Sequence, residues 1–400
     1  MPASPTRYGR SPTIDAMLTG SSSTRRACVA GPAVSRRDSV RRRGTAGRGR
    51  RWWLLSGVAG AVVLAGCTSG VVTPKAAPKA STTTTAAASS AAAALCPLTG
   101  APVPGGGAVP QRAALAVKIT NYPTGRPQTG LQKADIVFEE PVEGGITRFA
   151  AVFQCQGATL VGPIRSARNI DIGILGQLGT PLLAHVGGID PVIANIEASP
   201  IVNVDVGAHG TVDQHPAGRV APYDTYASTS ALWGIDPTDT AVPAPIFTYS
   251  STTPSGPGVS PVSSVAIPFS NSSTVVWRYN SKLHAFQRYY GSKPDTLSTG
   301  AQETAANVVV QFVQVTYGPW AENTQGGLEV QANLYNDASG PALIFRSGQE
   351  ISGTWSRSSL GQATQFVNSA GQPIDLQPGQ TWVELVPNTV TVTGTPAPQG

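Results

Sequence analysis

The run "WWLLSGVAGAVVLAGC" (52–67) constrains this chain more than any other stretch, because it decides how much of the chain can fold. Arg41, Arg42, Arg43, Arg48, Arg50 and Arg51 flank it on the N-terminal side, and its apolar part is too short for a comfortable bilayer span. A basic flank, a short apolar run and small residues before a break form the order of an export signal. Residues 1–66 are therefore read as a leader that adds nothing to a core. Charge divides at the same place. The chain carries a formal +6, yet 1–66 hold 12 of the 28 Lys and Arg residues and, of the 22 acidic ones, just Asp15 and Asp38. The remainder has 16 basic and 20 acidic residues, a net of −4. No later basic stripe is interleaved with aromatics, so no nucleic-acid partner is expected.

Leu64, Ala65, Gly66 and Cys67 resemble a bacterial lipobox. That resemblance implies that Cys67 carries a lipid and becomes the mature N-terminus. The membrane is then a partner through that lipid, and the folded part sits outside the cytoplasm, anchored to the cell membrane. An ordinary signal peptide or an uncleaved signal anchor is the alternative. The stretch "SRRDSV" (35–40) is faintly similar to a twin-arginine signal, with Ser39 where that signal has Phe. The long stretch ahead of the basic flank fits a start codon further along. Residues 67–95 are Thr, Ser, Ala and Pro with almost no bulky apolar side chain. Such a segment cannot bury enough surface to offset its ordering, so it reads as a disordered tether; an alanine-rich helix over its end is the alternative. Cys28 leaves with the leader. Cys96 and Cys155 remain, and two thiols outside the cytoplasm form a disulfide unless both are simply buried. No CxxC and no Cys/His cluster is present, which excludes a zinc finger or a thioredoxin-like centre.

From Cys96 onward the pattern supports two domains. The first (96–250) reads as α/β with a mixed sheet: strands at 114–120, 134–140 and 146–154, a helix from about Ser166, a strand at 180–188, and a helix at 190–198 with Asp190 as N-cap and Pro191 at its first position. Residues 251–262 are rich in Ser, Pro and Gly and read as a linker. The second domain (263–390) reads as small and all-β, a sandwich or open barrel built from hairpins such as "TVVWRYNSKLHAFQRYY" (274–290). Residues 391–400 are expected to fray.

The segments "PLTG" (97–100), "AVKITNYPTGRPQTGLQKADIVFEEPVEGGITRFAAVF" (116–153), "VGPIRSAR" (161–168) and "AHVGG" (184–188) resemble the YerB-like bacterial lipoproteins, which have two adjoining domains of unknown function 3048. "NVVVQFV", "ALIFRSGQEISGTWSR" and "LQPGQTWVELVP" resemble the C-terminal domain of that family. The resemblance implies a secreted, membrane-anchored, two-domain lipoprotein and carries no reaction. Where the family reads Ala-Pro-His-Asn, this chain reads "APYDTYAST", with Tyr223 in place of the His.

The candidate chemistry lies in the first domain. Arg126, Arg148, Arg165 and Arg168 fall at turns or strand ends, and guanidinium forks hold carboxylate, phosphate or sulfate in bidentate fashion. Arg165 and Arg168 are expected beside the free N–H groups of a helix start, where an anion binds well. Glu139, Glu140 and Glu143 are the acids beside them, and an internal Arg–Glu network is the competing structural reading. Glu139 and Glu140 alternate along a strand, so the two cannot face one substrate. His185 ends an apolar strand before Gly187 and Gly188, where ligands gather in open α/β sheets; a backbone-bonded histidine is the plain alternative. His209, Asp213 and His215 match no firm metal motif, and His284 reads as sheet surface. No GxSxG, HExxH, Walker loop or GxGxxG is present, so no cofactor or metal is implied.

The residues thus suggest a binding protein for an anionic or carbohydrate envelope component, held by arginines. The alternatives are an enzyme on envelope polymer, with His185 and a Glu of 139–143 as acid and base, and a protein-binding envelope scaffold.

Overall fold

β1 (Leu115–Thr120), β2 (Ile136–Val142) and β3 (Ile146–Phe153) are buried along almost their whole length. Strands without a wet face carry apolar residues at odd and even positions alike, so "LAVKIT" and "ITRFAAVF" read as runs rather than alternations. The computed structural model describes residues 93–397 apart from 239 and 272. Cys67, the leader and all but the end of the 67–95 tether lie outside the described residues.

The first half continues with α1 (Ile170–Leu175), β4 (Leu182–His185), α2 (Asp190–Glu197), β5 (Val202–Asp205) and α3 (Thr229–Trp233). The second half holds β6 (Val259–Ser270), β7 (Ser273–Asn280), β8 (Ala285–Tyr290), β9 (Lys293–Pro294), β10 (Thr304–Ala305), β11 (Asn307–Ala321), β12 (Leu328–Asn333), β13 (Ala338–Arg346), β14 (Gln349–Arg357), β15 (Gln365–Asn368), β16 (Thr381–Pro387) and β17 (Thr393–Pro396). The fold is thus a mixed-sheet α/β half followed by an all-β half, as the pattern suggests. One sheet spans both, in the order β5–β4–β1–β3–β2–β16–β11–β13–β14–β15. The two halves meet where β2 pairs in parallel with β16, Ile136 opposite Thr381 through Glu139 opposite Glu384. A second sheet, β17–β6–β7–β8 with β9 and β10 on the far edge of β8, covers one face.

The central sheet therefore has a core on each side. Val117, Val137, Phe149, Trp382 and Val308 pack towards the second sheet and its Val265, Trp277 and Phe286. Their neighbours in sequence, Ala116, Ile136, Phe138, Ala150 and Val383, point the other way, among Ile170, Ile174, Val192 and Ile196 of the helices.

Four local expectations need correction. α1 begins at Ile170 rather than near Ser166: the Asp171 carboxylate accepts the Arg168 N–H (2.8 Å), which caps the helix there, and Asn169 is the first residue with helical backbone angles. α2 begins at Asp190 with Ile189 at the cap position. β6 starts at Val259, inside the expected linker, since the edge of β14 takes residues 259–261 in register. Residues 393–396, expected to fray, form β17 and satisfy the outer edge of β6.

Two covalent and ionic features tie the fold together. Cys96 and Cys155 form a disulfide with a Cα–Cα distance of 5.7 Å across 59 residues. At the seam, Arg288 of β8 is fully buried and paired with Glu139 (2.6 Å) and Asp295. The rings of Phe149, Trp382 and Tyr290 surround its guanidinium at 4.6–5.2 Å. Burial and then the facing Glu139 push the Glu384 carboxyl well above its ordinary range, and the Trp277 indole N–H donates to it (2.7 Å).

An arginine-lined cleft between the two halves

A cleft of about 580 Å³ opens where the β2–β3 turn, the 165–168 segment and the loop after β4 face the tip of the β11–β12 hairpin. Its walls carry Arg148, Arg165, Arg168, Glu143, Tyr122 and Tyr223 from the first half, and Glu322, Asn323 and Gln325 from the second. Local structure explains each placement. The turn needs Gly144 at φ 79, a left-handed conformation, to bring Glu143 round beside β3. Gly187 likewise sits at φ 74, and a Cβ on Gly188 would meet Ile193 Cδ1 at 2.8 Å, so this wall of the cleft is bare backbone.

The three arginines of the cleft differ. Arg168 is locked: its Nε and Nη2 donate to the two oxygens of Glu143 (3.0 and 2.5 Å), and its Nη1 donates to the Ala167 carbonyl (2.7 Å) and lies 3.3 Å from Glu322 Oε2. Arg148 is 8% exposed and reaches Glu143 through Nη2 alone (3.3 Å). Its Nε and Nη1 are buried without a hydrogen-bond partner among the described residues. The side chain of Arg165 is half-buried at the cleft wall and also lacks a partner among the described residues. Burial pushes Glu143 up, but hydrogen bonds from Arg168 and the charges of Arg148 and Arg168 outweigh it and leave the carboxyl below its usual range. Burial and the neighbouring Arg168 charge lower the Arg148 guanidinium. Burial raises Glu322 despite Arg168. Glu143 and Glu322 sit against Arg168, and Glu140 and Glu329 also lie within electrostatic reach of Arg148 or Arg168, so Arg165 is the cleft guanidinium left without a carboxylate among the described residues.

The other candidates lie elsewhere. Arg126 is outside the cleft, stacked on the Tyr290 ring at 3.5 Å with its Nε donating to Asn121 Oδ1 (3.1 Å). Glu139 belongs to the Arg288 network. Glu140, opposite Arg148 in register, points under the cleft and is paired in full burial with Lys118, which also holds Asp171 (2.7 Å). Burial and the nearby Asp171 raise Glu140 to about 7. His185 is 1% exposed, with Nδ1 at 3.1 Å from the Gly187 carbonyl and Nε2 at 2.6 Å from Asn203 Oδ1. The helix start is no anion seat, since Asp171 already takes the Arg168 N–H. His215 lies against Asp213 (3.2 Å) and Asp224 (3.4 Å) on the surface, His209 is exposed, and no group of three metal-ligating side chains occurs among the described residues. His284 is exposed at a hairpin turn with φ 49.

Sequence reasoning missed Tyr122 and the hairpin tip. Tyr122 and Tyr223 stack with ring centroids 5.7 Å apart and planes 12° apart. The polar string "AENTQGG" between two alternating strands was the available signal for the tip, but nothing local tells which side of the molecule a hairpin overhangs.

Comparison with known proteins fits this architecture. Residues 98–240 match the N-terminal domain of the protein of unknown function DUF3048, and residues 265–383 match its C-terminal domain. A Bacillus subtilis (strain 168) protein, YerB, whose name marks it as a candidate lipoprotein, is 26% identical over 288 residues, or 70% of this chain and 83% of that one. The crystal structure of Bacillus subtilis YerB superposes with a TM-score of 0.62 at 23% identity, covering 75% of this chain and 99% of that chain, and so shares the fold. With both domain models matched in order along one shared sheet, the chain belongs to the DUF3048 family.

Proposed function

We propose that this protein is a membrane-anchored lipoprotein that holds an anionic or carbohydrate component of the cell envelope in the cleft between its halves. The name of its Bacillus subtilis relative and the lipobox-like "LAGC" ending in Cys67 support the anchor. No helix among the described residues is long and apolar enough to cross a membrane. The Cys96–Cys155 disulfide supports an oxidising compartment. One observation carries the binding role: the Arg165 guanidinium lines the cleft without a partner among the described residues, beside Arg148, whose own Nε and Nη1 are buried and unpaired. A guanidinium at a cleft wall with no carboxylate against it is suited to an entering oxyanion, which it holds by charge-assisted, bidentate hydrogen bonds. Acid–base chemistry has less support, because Glu139 and Glu140 are fully buried in ion pairs, Glu143 is held by Arg168, and His185 is turned into the fold.

Thermal unfolding of the full chain in detergent, with sulfate, phosphate and soluble envelope fragments, tests the reading. A binding anion at about a hundred times its Kd stabilises by about 2.7 kcal/mol, and Arg148→Met/Arg165→Ala abolishes that gain. Absence of any shift in the unsubstituted protein overturns the proposal.

A further inference from the structure

We infer that the unit seated in this cleft is an acidic saccharide, with its anionic group against Arg148 and Arg165 and its ring laid on Tyr122. The inference rests on the anion reading and adds the chemistry of the rest of the ligand.

Size comes first. An inorganic oxyanion displaces the volume of two or three waters, about 60–90 Å³. The cleft encloses about 580 Å³, so an anion at the arginines leaves most of it for other parts of the same molecule. The lining then limits what those parts are. Beyond the charged groups the walls offer the Ser166 hydroxyl and the Asn323 and Gln325 amides, which both donate and accept and therefore suit hydroxyls. Besides the two tyrosines, the apolar side chains of the lining are Ile146, Ile189 and Pro222.

The aromatic pair supplies the remaining element. Tyr122 is 41% exposed at the cleft, and Tyr223 stacks on it nearly parallel. A ring braced by a second ring loses little freedom on binding, and its flat π face packs well against the C–H face of a pyranose. A nucleobase is gripped best between two rings, but these two rings occupy each other and leave one face for a ligand. Anionic head, hydroxylated body and one flat C–H face together describe an acidic sugar.

Titration calorimetry on the full chain in detergent tests this with four probes: trigalacturonate, neutral maltotriose, sulfate and uridine monophosphate. Trigalacturonate is expected to bind at least tenfold more tightly than sulfate or maltotriose. Tyr122→Ala weakens trigalacturonate about five- to tenfold and leaves sulfate within twofold, whereas Tyr122→Phe retains both. Arg165→Ala weakens trigalacturonate and sulfate alike. If sulfate binds in an Arg165-dependent way but trigalacturonate gains nothing over it, or Tyr122→Ala leaves it unchanged, the saccharide inference falls and the anion cleft stands. Equal or tighter binding of uridine monophosphate also overturns it. If no probe binds, both readings fall together.

Discussion

Arg288 and Arg148 are two buried arginines, each beside an acid from neighbouring positions on β2, and they have opposite fates. Glu139 points to one face of the central sheet and meets Arg288, which has a second carboxylate in Asp295 and aromatic rings around its guanidinium. Glu140 points to the other face, but Lys118 takes it. Arg148 is left with one long contact to Glu143 and two idle N–H groups. The difference is saturation. A buried cation whose donors are filled from within holds the fold, and one with unfilled donors beside a cleft keeps bonding capacity in reserve.

That contrast can be broken by substitution. Arg288→Met leaves Glu139 and Asp295 buried without their cation, and denaturant unfolding is expected to show a loss of about 3–5 kcal/mol. Arg168→Met frees Glu143 in a partly buried site and costs about 2–3 kcal/mol by the same measurement. Glu303, also beside the Arg288 network, has both carboxylate oxygens buried without a hydrogen-bond partner among the described residues, and burial followed by the charge of Asp295 pushes it up to about 8. The folded state then keeps a proton that the unfolded chain releases, so stability falls as pH rises from about 4.5 to about 8 and levels off above. Glu303→Gln is expected to add about 1–2 kcal/mol at pH 8 and nothing at pH 4, read as a flattened dependence of Tm on pH. Arg165→Ala, at the idle end of the comparison, stays within about 0.5 kcal/mol of the parent without ligand. A loss near 3 kcal/mol there would mean that the cleft arginines are structural after all.

What was legible follows from how far each interaction reaches along the chain. β1 to β3 announce themselves because a strand buried on both faces must be apolar throughout, and the opposed directions of Glu139 and Glu140 follow from the pleat alone. The β7–β8 hairpin was also readable, yet the role of Arg288 was not. Alternation places it on one face with Phe286 and Tyr290, but a buried cation is recognisable only with its partner, and Glu139 lies 149 positions away. The start of β6 was hidden because Ser260 and Pro261 face solvent and carry linker-like composition. Of the four candidate arginines, Arg165 and Arg168 stood out by their place ahead of a helix. Arg126 departs because its own turn supplies Asn121, and Arg168 is neutralised by a turn acid 25 positions earlier. Such sorting depends on tertiary partners rather than on spacing.

The disulfide has a mechanical consequence. Cys96 stands near the start of the described fold, and Cys155 lies just beyond the end of β3, an inner strand of the central sheet. A pull on the chain ahead of Cys96 therefore cannot peel residues 96–114 from the surface one contact at a time. The load crosses the sulfur bridge and reaches β3, where the hydrogen bonds to β1 and β2 on either side share it. Reduction would reroute the same force through residues 97–114 into β1, so the redox state of one bond decides whether the fold yields by unzipping or resists as a whole sheet.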